Sequence, residues 1–378
     1  MAKRRGNNEG SIYQREDGRW TAAYYVQGKR KYIYAPTRDE VAKKLRDIQS
    51  KIDRGEFAEP SAVTVDMWLK TWLHEYALQS VRPSTYSAYE GIVSIHLLPT
   101  LGQHKLQGLR SEHIQSWVNQ QTKDGYAPAS VKRFFNVLRV ALGQAAANQL
   151  IFHNPADAVT LPKQEAKTIE CLSAEEVTAL LAVLPNSTNG RALRFILGTG
   201  LRVAELCGLR WCDVGEESIT VNQITYIIKR NGRNERITNP PKTKAGVRFI
   251  PTNSKLRTLL DEQRQAQRVD RLHAGSAWQG NEPCKGQQYV FATASGEPSD
   301  RNNIARSLRI YLKKAGLATR GVHALRHTFA TMWVQSGADL RTLSEILGHT
   351  NVAFTMQRYV HSDTAAKRKG MEAMASLI

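Results

Sequence analysis

The first pattern along the chain is alternation. After Asp17-Gly18, the residues Trp20, Ala22, Tyr24 and Val26 alternate with more polar neighbours, the period of a half-buried strand. Asp17-Gly18 predicts a type I′ hairpin turn, which needs positive φ at both central residues. Gly28-Lys29 gives a second turn and Tyr32-Ile33-Tyr34 a third strand. Thr37-Arg38-Asp39-Glu40 then has the form of a capping box, in which the Thr hydroxyl accepts from the Glu amide and the Glu reaches back. The helix it opens carries Val41, Leu45, Ile48 and Ile52 on one face, and Gly55 closes it. Three strands and a helix make a small module over residues 1–58, near the lower size limit for independent folding.

Residues 56–62 read as a linker, and from 63 to 160 the spacing is helical. Thr64 caps a helix with Val65, Trp68, Leu69 and Trp72 on one face. Pro83-Ser84-Thr85 starts a second with Tyr86, Tyr89, Ile92 and Val93. Ser111 caps a third with Ile114, Trp117 and Val118. Ser130 opens a fourth with Val131, Phe134, Phe135, Leu138 and Leu142. Asn154-Pro155 and Leu161-Pro162 mark a boundary, because the residue before proline leaves the helical region. A second capping box, Ser173-Ala-Glu-Glu176, flanked by Leu172 and Val177 as a hydrophobic staple, opens the last segment. Helices follow over 191–198 and 202–209. Strands follow at Ile219-Thr-Val221, Tyr226-Ile-Ile228 and Val247-Arg-Phe-Ile250. Helices then run to the end, where Met371, Met374 and Leu377 share a face. The expected fold is multidomain α+β: a three-stranded β-sheet plus helix (1–58), an all-helical domain (63–160), and a mixed, mainly helical domain with a small antiparallel sheet (166–378).

Charge changes the picture from fold to partner. Lys plus Arg total 53 against 34 Asp plus Glu, a formal +19. Such an excess suits a polyanion, because cationic side chains displace condensed counterions from nucleic acid. The excess is concentrated after residue 166, where the main contact is expected. No apolar run is long enough to span a bilayer, and Met1-Ala-Lys-Arg-Arg leads into Gly-Asn-Asn-Glu, so neither a spanning helix nor a signal peptide is expected. The cysteines, Cys171, Cys207, Cys212 and Cys284, form no C-x-x-C pair, which argues against a structural zinc or a disulfide framework and for a reducing, cytoplasmic setting. There is no G-x-x-x-x-G-K-S/T phosphate loop and no carboxylate cluster of the two-metal kind, so no cofactor and no metal are expected.

Four segments carry candidate chemistry: Thr199-Gly-Leu-Arg-Val-Ala-Glu205, Pro241-Lys-Thr-Lys-Ala-Gly246, His323-Ala-Leu-Arg-His327, and Leu347-Gly-His349 followed by Tyr359. Together, and in this order, they resemble the tyrosine recombinases, the integrase family of phages and conjugative transposons. The resemblance is strong over the last domain and weaker over the first two, which look like that family's arm-binding and core-binding modules.

The resemblance implies that Arg202 and Arg326 are the catalytic arginines. A phosphoryl centre under attack gains equatorial charge, and planar guanidinium forks can clamp its oxygens where lysine cannot. It makes His323 and His349 further phosphate donors, Lys242 the general acid for the departing 5′ oxygen, and Tyr359 the nucleophile. Glu205 orients Arg202. An ammonium suits an alkoxide leaving group, and a phenol, neutral near pH 7, needs a cationic site. Lys242 matches the family position better than Lys244, though a one-residue shift in the turn would exchange them; both could instead meet DNA phosphates. His323 and His327 have metal-ligand spacing but lack an H-E-x-x-H glutamate, and His327 reads as a packing residue. The implied reaction is transesterification through a 3′-phosphotyrosyl intermediate.

The implied partner is double-stranded DNA. Arg15, Arg19, Lys29, Arg30 and Lys31, interleaved with Trp20, Tyr24 and Tyr32, are candidates for arm-type sites, since a β-sheet can enter the major groove. Arg82, Lys132, Arg133 and Arg139 are candidates for the core site, with Lys244 beside the catalytic set. The family further implies a homotetramer on DNA, DNA-bending accessory proteins, and a C-terminal tail that docks on a neighbouring protomer. Two competing readings are a type IB topoisomerase-like relaxing enzyme and a non-catalytic DNA-binding regulator. The separate N-terminal modules favour recombination of a mobile element.

Overall fold

A computed structural model describes residues 11–26, 29–53, 61–164, 170–230, 233–279 and 288–349. The chain divides into two compact units, Met1–Glu165 and Ala166–Ile378. Gly28, Gly55, Cys284, Tyr359 and the tail from Ala365 to Ile378, all singled out in the sequence, lie outside the described residues.

The N-terminal unit begins with an antiparallel sheet of β1 (Ser11–Gln14), β2 (Trp20–Val26) and β3 (Lys29–Ala35), with β2 in the middle. The first turn differs from the expected type I′ form. Gly18 has φ +79 but Asp17 does not join it at positive φ. Gly18 N–H donates to the Arg15 carbonyl at 3.0 Å and Arg15 N–H to the Arg19 carbonyl at 2.9 Å. This is a longer hairpin loop with its one left-handed residue at glycine, so aspartate avoids the strained conformation. At the start of helix α1 (Arg38–Asp53) the Thr37 half of the expected box is present, Glu40 N–H donating to the Thr37 hydroxyl at 3.3 Å. Val41 and Leu45 of α1 join Ala22, Tyr24 and Ala35 of the sheet in one small core.

The cross-strand register separates the basic run of β3. Lys31 pairs with Tyr24 and Arg30 with Tyr25. Strand side chains alternate, so Lys29 and Lys31 share the pleat of core residue Tyr24, while Arg30 lies on the opposite one. That open face carries exposed Tyr13, Tyr25, Tyr32 and Tyr34. Arg30 stacks over Tyr32 at 5.5 Å and Arg15 over Tyr34 at 5.8 Å. Tyr24 is buried against α1 and Trp20 packs against the same core, so sheet packing accounts for both of these aromatics.

The helical part runs through α2 (Val65–Thr71), a wider π-type segment at Trp72–Ala77, α3 (Leu78–Ser80), α4 (Pro83–Ile92), a second π-type segment at Val93–Leu97, α5 (Leu98–Leu101), α6 (Ser111–Lys123) and α7 (Pro128–Ala147). Thr64 caps α2, accepting from Met67 N–H. Ser111 and Ser130 do not cap. The Ser111 hydroxyl donates to the Pro155 carbonyl at 2.7 Å, and Ser130 lies inside the first turn of α7, which Pro128 starts. Proline at the first helical position needs no N–H partner, so α7 begins earlier than its serine suggested. The core joins Trp68, Trp72, Trp117, Phe135 and Leu138. The Nε1 of Trp68 donates to the Ala141 carbonyl and that of Trp117 to the His96 carbonyl, each at 2.9 Å. Lys132 and Arg133 are exposed on α7, Arg82 is half-buried before α4, and Arg139 pairs with Asp157 at 2.9 Å.

The C-terminal unit contains α8 (Ala174–Val183), α9 (Thr188–Thr199), α10 (Val203–Gly208), β4 (Ser218–Val221), β5 (Ile224–Arg230), β6 (Arg233–Asn239), β7 (Arg248–Pro251), α11 (Ser254–Ala274), α12 (Arg301–Lys314), α13 (His323–Gln335) and α14 (Leu340–Leu347). The strands form two separate antiparallel ladders, β4 with β7 and β5 with β6. Helix α9 starts earlier than the apolar pattern indicated, because the Ser187 hydroxyl caps it by accepting from Gly190 N–H at 3.3 Å. It packs against α11, α12 and α13, and its Leu193, Phe195 and Ile196 sit at the centre of the core. The Ser173–Glu176 capping box forms at the start of α8. Just before it, Leu172 N–H donates to the hydroxyl of buried Thr328 on α13 at 2.8 Å, and Glu176 pairs with Arg320 at 2.9 Å. Among the described residues no helix is long and apolar enough to cross a membrane.

Candidate active site

Four segments of the C-terminal unit build the site. The first is the turn from α9 to α10. Gly200 ends α9 in the left-handed conformation, φ +67, and a Cβ there would come within 2.6 Å of Phe329 Cδ1. Both the dihedral and the space select glycine. The chain then passes through buried Leu201 and places Arg202 at the N-cap of α10. The helix dipole opposes a cation there, and Glu205 offsets it. One Glu205 oxygen accepts from the Arg202 backbone N–H at 2.9 Å and the other from its Nη1 at 2.8 Å. The Glu205 side chain is buried, whereas that of Arg202 is 40% exposed.

The second segment is β7, where Arg248 occupies an inward position beside Ile250. Sequence reasoning missed this residue. A charged side chain at the inward register of an apolar strand is the signal that marks it, since a buried charge needs a partner. Its Nη1 and Nη2 donate to the two Glu205 oxygens at 3.1 and 2.9 Å. Nη1 also reaches the Gly246 carbonyl at 3.1 Å, and Nε donates to the Ile346 carbonyl. Burial alone would raise the Glu205 carboxyl. The hydrogen bond and charge of Arg248, with the charge and N–H of Arg202, together outweigh it and hold Glu205 below the ordinary carboxylate value.

The third segment is the turn between β6 and β7. Lys242 and Lys244 are both exposed on it, with Lys244 starting a short helical turn, Lys244–Gly246. The fourth joins α13 to the end of α14. Arg326 is 1% exposed. Its Nη1 donates to the Gly200 carbonyl at 2.8 Å and its Nη2 to the Leu347 carbonyl at 2.6 Å, so one guanidinium caps the C-terminal ends of α9 and α14. Nη2 also lies 3.1 Å from His349 Nε2. Gly348, φ +65, turns the chain out of α14 to present His349.

Arg202, Lys242, Thr243, Gly348 and His349 line one cavity of about 450 Å³. Lys244 lies outside that lining. Arg326 holds His349 from the buried side. His323 is the first residue of α13, exposed, one turn before Arg326 and edge-on to His327 at 4.5 Å; it is not among the residues lining the cavity. His327 is buried, in keeping with a packing role. Glu205 is the one carboxylate among the described lining residues, and both its oxygens already accept N–H groups. The cavity therefore presents a guanidinium, an ammonium and an imidazole, an arrangement that can take a tetrahedral anion by paired and single donors.

The pattern of the phage integrase family matches residues 170–366, and that of the phage integrase N-terminal SAM-like domain matches residues 64–121. A tyrosine recombinase XerC-like protein of Caldanaerobacter subterraneus subsp. tengcongensis is 31% identical over 362 residues, covering 92% of each chain. Among solved structures, the integrase of transposon Tn1549 in complex with a circular intermediate DNA aligns over 83% of this chain and 100% of that one, at 21% identity and a TM-score of 0.68. A lambda integrase tetramer bound to a Holliday junction aligns over 97% of this chain and 96% of that one, at 19% identity and a TM-score of 0.57. The chain belongs to the phage integrase family, the tyrosine recombinases, whose reaction is the cleavage and rejoining of DNA.

Proposed function

We propose that this chain is the site-specific recombinase of a mobile element, and that the cavity between Arg202, Lys242 and His349 receives the scissile phosphate. The observation that carries the reading is the convergence of these three donors, from distant parts of the sequence, on one cavity backed by Arg326. Arg202 and Arg326 neutralise charge on the non-bridging oxygens, with His323 and His349 as further donors. His349 Nε2 accepts from Arg326 in this structure, so donation to phosphate requires Nδ1 or an opening of that contact. Tyr359, ten residues beyond His349, attacks phosphorus. Its oxygen bonds to the phosphoryl group, its proton leaves to solvent or a nearby base, and the 5′ oxygen departs with a proton from Lys242. The ester bond is kept as a 3′-phosphotyrosyl link, so the freed 5′ hydroxyl can reseal without nucleotide.

Residues 1–58 bind arm-type sites, 63–160 the core site, and 166–378 carry the chemistry. The open face of the N-terminal sheet, with Arg15, Arg30 and its tyrosines, supports the first assignment. Arg19 immediately precedes β2 and Lys29 and Lys31 lie on β3, and Lys132 and Arg133 offer exposed cations for the second. The working assembly is a tetramer on double-stranded DNA in the cytoplasm, aided by DNA-bending proteins. The test is a nicked suicide substrate carrying the element's core site. Wild-type protein traps covalent DNA and Tyr359→Phe does not; absence of any covalent adduct with wild-type protein bound to that site overturns the reading.

A further inference from the structure

Arg248 is more than a buried partner for a carboxylate. We propose that it is a positioning residue. It occupies both oxygens of Glu205 from the buried side, limits Glu205 to a one-armed contact with the Arg202 side chain, and so keeps the rest of that guanidinium facing the cavity. The inference rests on the reading of Arg202 as a phosphate ligand.

A carboxylate offers about four acceptor positions. Arg248 takes one on each Glu205 oxygen, at 3.1 and 2.9 Å. The Arg202 backbone N–H takes another at 2.9 Å, and Arg202 Nη1 takes the last at 2.8 Å. Glu205 is then saturated, and the Nε and Nη2 of Arg202 have no place on it. Two guanidiniums around one carboxylate also leave a net positive charge beside the cavity. Without Arg248 two acceptor positions reopen on a buried anion that must be compensated. The strongest arrangement left is a bidentate Arg202–Glu205 pair, which draws Arg202 off the cavity. Arg248 also grips the Gly246 carbonyl of the Lys242 turn and the Ile346 carbonyl just before Gly348-His349, so one side chain sets three walls against each other.

The test is single-turnover cleavage of the suicide substrate at saturating DNA, with thermal melting and DNA affinity measured alongside. Arg248→Met should lower the cleavage rate constant about 100-fold while affinity changes less than about threefold, the signature of a misplaced group. Adding Glu205→Gln should restore at least about tenfold of that loss, because a neutral amide no longer captures Arg202. On a methylphosphonate, whose scissile centre lacks the negative charge, the Arg248→Met deficit should shrink as that of Arg202→Ala does. Where Arg248→Met does not fold, Arg248→Lys replaces it in the same comparisons, because one ammonium cannot fill both oxygens. Wild-type protein that forms no covalent adduct overturns the recombinase reading itself. Wild-type cleavage matched by the Arg248 variant, a double variant as slow as the single, or a deficit unchanged on the methylphosphonate overturns the positioning role alone.

Discussion

The guanidinium of Arg326 donates to His349: Nη2 lies 3.1 Å from Nε2, and since arginine can only donate, Nε2 accepts. A His349 ring that accepts at Nε2 can donate only through Nδ1. Arg326→Lys keeps the charge but loses the fork that also serves the Gly200 and Leu347 carbonyls. Single-turnover cleavage should fall at least about 100-fold. Stability should fall by about 2–4 kcal/mol, as buried acceptors lose their donor. Rapid-quench assays and urea denaturation measure the two effects separately.

Gly348 is a second sensitive point. At φ +65, a Cβ there would stand 2.8 Å from the Ala245 carbonyl oxygen and 3.1 Å from Arg248 Cδ. Gly348→Ala should cost about 1–3 kcal/mol through left-handed strain and the displaced neighbours, and should slow cleavage as well. An unchanged denaturation midpoint would contradict this.

Glu205 gives a pH dependence with a definite sign. Its carboxyl is held below the ordinary value of 4.5 in the folded protein, burial opposing the shift and the two arginines prevailing. The stability it contributes is complete above 4.5 and is lost as pH falls through the lower folded value. Glu205→Gln does not titrate. Melting curves below pH 4.5 should therefore drop more steeply for wild-type protein than for the variant, so that the gap between them narrows.

Two cysteines should part company. Burial, helped by the charge of Asp300, pushes the Cys207 thiol up to about 12. Cys212 is exposed. Iodoacetamide at neutral pH should label Cys212 in the native protein and reach Cys207 only after unfolding, because the thiolate is the reactive form. Peptide mass mapping reads the outcome, and native labelling of Cys207 would refute it.

Local signals were legible in the sequence because their physics is local. The Thr37–Glu40 and Ser173–Glu176 caps form between residues three apart, and both are present. Ser111 and Ser130 misled for the converse reason: a distant carbonyl claims one, and a proline two residues earlier starts the helix of the other. Strand β6, Arg-Asn-Glu-Arg-Ile-Thr-Asn, shows little apolar alternation because its side chains are mostly half-buried or exposed. It is defined by its pairing with β5. The family motifs named Arg202, Lys242 and His349, but their meeting around one cavity depends on long-range packing. Arg248 lay in a segment recognised as a strand, and its importance emerged only with Glu205 placed opposite it.

The hydroxyl of Thr328 decides where the C-terminal unit can be cut. It is fully buried, donates to the Ala324 carbonyl within α13, and takes the N–H of Leu172 at 2.8 Å. A fragment trimmed to begin at Ala174 would leave that hydroxyl with an unused acceptor position and remove the Ser173 cap of α8. A stand-alone catalytic fragment therefore has to keep Leu172, whose amide completes the packing of a helix residue 156 positions further along the chain.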